Sequence, residues 1–272
     1  MTSQLALTAA LFGLCIGSFI NVVVWRIPRG ESCVWPGSHC PKCGKSLAWH
    51  QNIPVLSWCL LKGKCAFCFS SISPIYPAVE LLSAGLWVLL ALPGVGRMGA
   101  PDQLLNLLAG AIFVSWLLPL ALIDLKTMQL PESLCKWGVI TGLLCSVGLG
   151  ASQGAGAEML LYHCLAAVVG LLAFESVSAG AERIMGVPAL GLGDAKLAAL
   201  LGAWLGLKGL GVAVALAVLL GAVFGVIGRL SGKLSAREPF PFGPFLAVGG
   251  FLSWLACDSF WGFVISPPFR IL

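Results

Sequence analysis

The stretch Gly191-Leu-Gly-Asp-Ala-Lys-Leu-Ala-Ala-Leu-Leu-Gly-Ala-Trp-Leu-Gly-Leu-Lys208 decides how this chain is read. It is apolar except at Asp194 and at its two lysines. Only eleven residues separate Lys196 from Lys208. As a helix they reach about 17 Å, too little to cross roughly 30 Å of hydrocarbon. A span here must begin earlier, so Asp194 and Lys196 dip below the membrane surface. An ionisable group at that depth is a functional candidate by default. Gly191 and Gly193 let the backbone turn tightly just before it.

The rest of the chain agrees with a bilayer as its solvent. Of 272 residues, 58% are hydrophobic and 10% are charged, against about 25% charged in soluble domains. Its 34 glycines and 10 tryptophans suit close helix packing and interfacial anchoring. The net charge of +5 comes from basic residues scattered through loops rather than gathered on one face. That pattern argues against a nucleic-acid partner. The opening Met1-Thr-Ser-Gln-Leu lacks the basic start and cleavage site of a signal peptide, which predicts a retained first span.

Apolar segments at 3–25, 77–93, 102–123, 134–150, 157–179, 190–207, 209–228 and 244–263 predict eight spans. The expected fold is an all-α polytopic membrane protein of about eight transmembrane helices with a small cytoplasmic zinc-ribbon-like insert. Its parts are a first helix at 1–25, a zinc-binding domain at 26–76 and a seven-helix membrane domain at 77–272. No internal repeat is visible. Of the 16 basic residues, only Arg97, Lys208 and Arg270 fall outside if the first span runs inward, leaving thirteen inside. By the positive-inside bias, both termini lie outside and residues 26–76 lie in the cytoplasm.

Eleven cysteines are present, and four are spaced as pairs. Cys40-Pro-Lys-Cys43 and Cys65-Ala-Phe-Cys68, 21 residues apart, match two knuckles offering four thiolates to one tetrahedral zinc. Four sulfurs leave no open position, so the metal is expected to be structural. A reducing cytoplasm disfavours disulfides instead. His39 and His50 are not needed as ligands, and the other seven cysteines read as small buried residues. About fifty residues make too small a core alone, so metal binding should supply much of the folding energy.

Among the eleven acidic residues, Asp102, Glu158 and Asp258 fall near outer span ends and Glu31, Glu182 and Glu238 in inner loops. All six read as caps or solvated groups. Glu80 and Glu175 lie near inner span ends and are secondary candidates. Asp124 closes the apolar run Leu117-Leu-Pro-Leu-Ala-Leu-Ile-Asp124 shortly before the terminator Leu130-Pro131. The predicted topology puts it on the same side as Asp194. Two carboxylates close together at a low-dielectric boundary share a proton. One then serves as base towards water while the other, protonated, polarises a carbonyl. Ordinary helix-end aspartates are the alternative.

Several segments together resemble the bacterial type IV prepilin peptidases, GxGD-type membrane aspartyl proteases. They are Gly17-Ser-Phe-Ile-Asn21, Arg26-Ile-Pro28-Arg-Gly30-Glu31-Ser32, the two CxxC pairs, Asn52-Ile-Pro54-Val-Leu-Ser57-Trp58, Gly63-Lys-Cys65 and Tyr76-Pro77-Ala-Val-Glu80. Further along stand Ile123-Asp124, Leu130-Pro131, Gly191-Leu-Gly193-Asp194-Ala-Lys196 and Pro241-Phe-Gly243-Pro244-Phe. Where the family often has Leu-Pro-Asp this chain has Leu130-Pro131-Glu132, and His50-Gln51 precede Asn52 in place of an aromatic and an acid.

The resemblance implies that Asp124 and Asp194 are catalytic. It also implies cleavage of the basic leader of type IV prepilins or type II secretion pseudopilins at the cytoplasmic face of the inner membrane. N-methylation of the new N-terminus with S-adenosylmethionine is implied as well. The competing classes are a small transporter carrying a zinc-ribbon domain and a non-enzymatic assembly scaffold. A transporter should place its ionisable groups near the midplane, whereas these carboxylates cluster at one end.

Overall fold

The computed structural model describes residues 2–92, 103–151, 154–186, 191–232 and 240–256. Arg97, Asp102, Lys233, Arg237, Glu238, Asp258, Arg270 and the end of the last expected span lie outside these residues. The chain divides into two compact units, Met1–Pro93 and Gly94–Leu272.

In the first unit, α1 (Thr2–Arg26) and α3 (Ile75–Ala91) pack together, joined by an irregular segment that includes the short α2 (Leu56–Leu60). The two long helices approach closely because α1 places glycine at the contact. A Cβ on Gly17 would stand 2.7 Å from the Glu80 Cα. Small residues at helix contacts give membrane helices their van der Waals packing, since lipid supplies no hydrophobic drive between them.

The second unit contains α4 (Gln103–Thr127), α5 (Glu132–Ala151), α6 (Gly156–Met185), α7 (Leu192–Leu230) and α8 (Gly243–Ala256). The first part of α7 forms its centre: Leu197, Ala198, Leu200, Leu201 and Ala203 are wholly buried. Around it pack α5, α6 and α8. Gly202 admits the Ala166 carbonyl of α6 and Gly249 of α8 admits that of Ala213.

Among the described residues, five helices are long and apolar enough to cross a membrane: Ser3–Arg29, Leu107–Thr127, Glu132–Ala151, Gly156–Ile184 and Leu192–Leu230. The chain is a multi-pass membrane protein. Two further expected spans form the shorter apolar helices α3 and α8. The sixth and seventh expected spans are joined in α7, but not as one rod. Gly206 sits at φ 68°, ψ −178°, a conformation open essentially only to glycine. Gly170 of α6 lies against both Ala198 and Leu210. Those two residues would be about 18 Å apart along a straight helix, so α7 folds back at Gly206.

The cysteine-bearing insert has no strand among the described residues. Its pairing is reduced to single bridges, His39 with Ser46 and Lys64 with Ser71.

Candidate active site and candidate metal centre

Asp124 occupies the last turn of α4, which ends where Met128, at φ 52°, donates its N–H to the Asp124 carbonyl at 2.9 Å. Pro131 then fixes the start of α5. Asp194 lies in the first turn of α7. The two carboxylates, 70 positions apart in sequence, line one cavity of about 340 Å³ with Met128, Gln129, Leu130, Gly191, Leu192, Gly193 and Lys196. They are close enough to interact electrostatically. Both are buried, at 5% and 9% exposure.

Each is anchored through one oxygen to a backbone amide at a helix start. The Gly243 N–H, opening α8, donates to Asp124 Oδ2 at 2.9 Å, and the Gly191 N–H donates to Asp194 Oδ2 at 3.2 Å. Helix N-termini carry partial positive charge, so both sites favour a carboxylate. The glycines are steric requirements here. A Cβ on Gly243 would stand 2.6 Å from Asp124 Oδ2, and one on Gly193 would stand 2.9 Å from the Leu130 Cβ. The Leu130-Pro131 and GxGD segments are thus packed onto each other.

Lys196 lines the cavity, but its charge is paired with another carboxylate. Its Nζ donates to Glu132 Oε2 at 3.1 Å, and Glu132 also pairs with Lys136 at 2.7 Å. Such an arrangement presents two anchored carboxylates beside one cavity, and among the described residues no cation is paired to either acid. It suits acid–base hydrolysis.

In the first unit the four sulfurs of Cys40, Cys43, Cys65 and Cys68 lie within 4.8 Å of one another. A tetrahedral zinc at about 2.3 Å from each sulfur needs S···S edges of about 3.8 Å. Cys40 and Cys68 stand at 3.8 Å, so the donor set fits the metal. The knuckles have the same backbone form. Gly44 N–H donates to Cys40 carbonyl at 2.8 Å and Phe69 N–H to Cys65 carbonyl at 3.1 Å. Gly44 and Phe69 both turn at positive φ, 71° and 55°. The amides of Cys43 and Lys42 lower the Cys40 thiol to about 6, and the Ser70 hydroxyl and amide lower Cys68. Cys43, against the pull of the Lys45 amide, is held up to about 11 by desolvation and its neighbouring thiols. His39 instead places its ring against the Gly37 carbonyl at 3.0 Å.

Of the secondary candidates, Glu175 is exposed on α6. Glu80 is buried, and its Oε2 accepts the Val55 N–H at 2.7 Å. Val55 stands at φ 61°, ψ −51° between Pro54 and Leu56, whose N–H reaches the Pro54 carbonyl at 2.6 Å. This is a strained γ-turn, and the carboxylate holds it. Arg26, also buried, donates to the Ser32 and Gly37 carbonyls at 3.0 and 3.1 Å. Sequence reading gave Gly243, Glu132 and Arg26 no role of their own. A Gly-Pro pair opening a helix was the signal for the first.

Residues 11–93 match the bacterial peptidase A24 N-terminal domain, and residues 111–226 match the type IV leader peptidase family. The chain is 35% identical to a prepilin leader peptidase/N-methyltransferase of Aeromonas salmonicida (strain A449), over 92% of this chain and 90% of that protein. Relatives of the same name from Burkholderia pseudomallei (strain K96243) and Neisseria gonorrhoeae are 36% and 34% identical. Those alignments cover 97% and 93% of this chain, and 86% and 91% of those proteins. No solved structure matches.

Proposed function

Since the chain belongs to the type IV leader peptidase family, we propose that it cleaves the basic leader from prepilins or type II secretion pseudopilins, using Asp124 and Asp194 as an aspartyl pair. The observation that carries this is the convergence of both acids on one cavity, each held by a helix-start amide.

In the reaction one carboxylate removes a proton from water. The other, protonated, donates a hydrogen bond to the scissile carbonyl as the water oxygen attacks. The tetrahedral species then collapses, the C–N bond breaks, and the departing amine takes up a proton from the pair. Asp124 and Asp194 titrate as a unit in this scheme. The test is a prepilin mobility shift with purified protein. Asp124→Asn and Asp194→Asn should each abolish cleavage while the protein still inserts, and near-normal processing by either would refute the pair. A transporter or scaffold would yield no shift at all.

The proposed setting is the bacterial inner membrane with eight crossings. These are α1, α3, α4, α5, α6, the two halves of α7 and α8. Residues 26–76 form a cytoplasmic domain between the first helix and a seven-helix protease domain. On this reading the basic leader remains in the cytoplasm while the apolar pilin helix lies in lipid, so the scissile bond sits at the depth of the two acids. Within residues 26–76, Cys40, Cys43, Cys65 and Cys68 hold a structural zinc. As in the names of the relatives, a second activity follows cleavage: transfer of a methyl group from S-adenosylmethionine to the new N-terminal amine. Mass spectrometry of the processed N-terminus reports both the cut and the methyl group.

A further inference from the structure

A helix that stops inside an apolar surround leaves its last carbonyls without partners, and lipid offers none. The half of α7 that carries Asp194 stops at Gly206. It spans about fourteen residues, roughly 21 Å, less than the hydrocarbon thickness. With Asp194 near one surface, the break at Gly206 stays buried short of the other, where Lys208 emerges, and the groups cut there need protein partners.

Two adjacent residues of α6 supply them. His163, 1% exposed, lies with Nδ1 2.9 Å from the carbonyl oxygen of Ala203 and 3.1 Å from Ser146 Oγ. The Ser146 hydroxyl also donates to that carbonyl, at 3.1 Å, and because a carbonyl only accepts, His163 bonds it in the tautomer that carries the proton on Nδ1. In an unbroken helix that carbonyl would take the N–H of residue 207. Beyond the break, the Lys208 N–H donates to the Tyr162 hydroxyl at 3.3 Å, and the Tyr162 ring closes over Gly206 where any Cβ would stand. Ser253 of α8 donates to the Gly209 carbonyl at 2.8 Å. Both cut ends are therefore served by Tyr162 and His163, with Ser146 and Ser253 beside them.

The helix between this latch and the acid is packed without slack: Leu197, Ala198, Leu200, Leu201 and Ala203 have no exposed surface, and Trp204 donates to the Gly138 carbonyl at 2.9 Å. Ala203 lies nine residues, about 14 Å, beyond Asp194. Fixing one end of such a rod fixes the other. We infer that Tyr162 and His163 are positioning residues for leader cleavage: by capping the break at Gly206 they set the depth and register of Asp194 against Asp124. This rests on the aspartyl-pair reading above.

The test compares His163→Leu, His163→Gln and Tyr162→Phe in steady-state cleavage of a prepilin, with Asp194→Asn alongside. A misplacement of about 1 Å in a catalytic group costs up to about a hundredfold in rate. The expected results are therefore a kcat roughly tenfold lower for His163→Leu with KM within about twofold, and a drop of about threefold for Tyr162→Phe. Glutamine, which can donate to the same carbonyl, should restore kcat to within about twofold of the parent. Amide hydrogen exchange should rise in His163→Leu at both 203–209 and 191–196. Unchanged kcat in both His163→Leu and Tyr162→Phe, or a glutamine variant as poor as leucine, would overturn the inference. So would exchange that rises at the turn but not near Asp194. Exchange does not depend on the chemistry, so it decides the latch if a variant loses activity altogether. Cleavage by Asp194→Asn would instead overturn the reading of the acids themselves.

Discussion

Gly243 shows how little room surrounds the acids. Its amide holds Asp124, and a methyl group at its α-carbon would stand 2.6 Å from the oxygen it holds. Gly243→Ala should lower kcat for leader cleavage by about tenfold or more through displacement of that carboxylate. Insertion should be unchanged, as read by membrane fractionation beside the cleavage assay. Glu132 holds the ammonium of Lys196, which lines the cavity beside the other acid. Glu132→Ala should free the ammonium to pair with Asp194 and depress cleavage, and the double variant with Lys196→Ala should recover most of the loss. Additive losses in that cycle would show that the two side chains act separately. Glu80 carries a different load. Its hydrogen bond to Val55 offsets a backbone conformation costing about 1–3 kcal/mol. Glu80→Gln weakens a charge-assisted bond, so stability should fall by about 1–2 kcal/mol, read as a lower temperature of thermal unfolding.

At the scale of elements, the two cysteine knuckles make a matched pair that differs at one position. Gly44 turns at positive φ freely, whereas Phe69 does so against its own Cβ. Gly44→Val should cost about 1–2 kcal/mol, seen as weaker zinc binding in a chelator titration, while Phe69→Gly should keep full affinity. Serine at Cys40 and Cys65 should abolish metal retention and leave residues 26–76 open to limited proteolysis. Acid should release the metal too, because thiolates bind it and thiols do not, so affinity falls as pH falls. Finding oxidised cysteine pairs and no metal in the purified protein would contradict all of these outcomes.

The paired spacing of these cysteines was legible in the sequence because the four ligands are close neighbours along the chain. The long apolar helices were legible for the same local reason. The break in α7 was legible only as two short apolar runs around Lys208. That Gly206 is the hinge depends on Tyr162, 44 residues earlier, closing over it. The acids were visible as acids, but the amide holding Asp124 comes from 119 residues away, and no local pattern announces such a partner.

At the scale of the molecule, the proposed orientation makes a directional prediction: tags at either end should be reached from the periplasm, and a cysteine-directed, membrane-impermeant reagent should reach Cys43 only from the cytoplasm. The charge bias behind that expectation is a property of the whole chain rather than of any one helix. The division at Pro93 and Gly94 has one more implication. Every group that shapes the cavity, from Asp124 and Leu130 through Glu132 to Gly191, Asp194 and Gly243, follows it, while all four zinc-type sulfurs precede it. Supplied as two polypeptides severed at that point, the halves should separate two losses: metal stripped from the front piece would leave scission intact in the rear one.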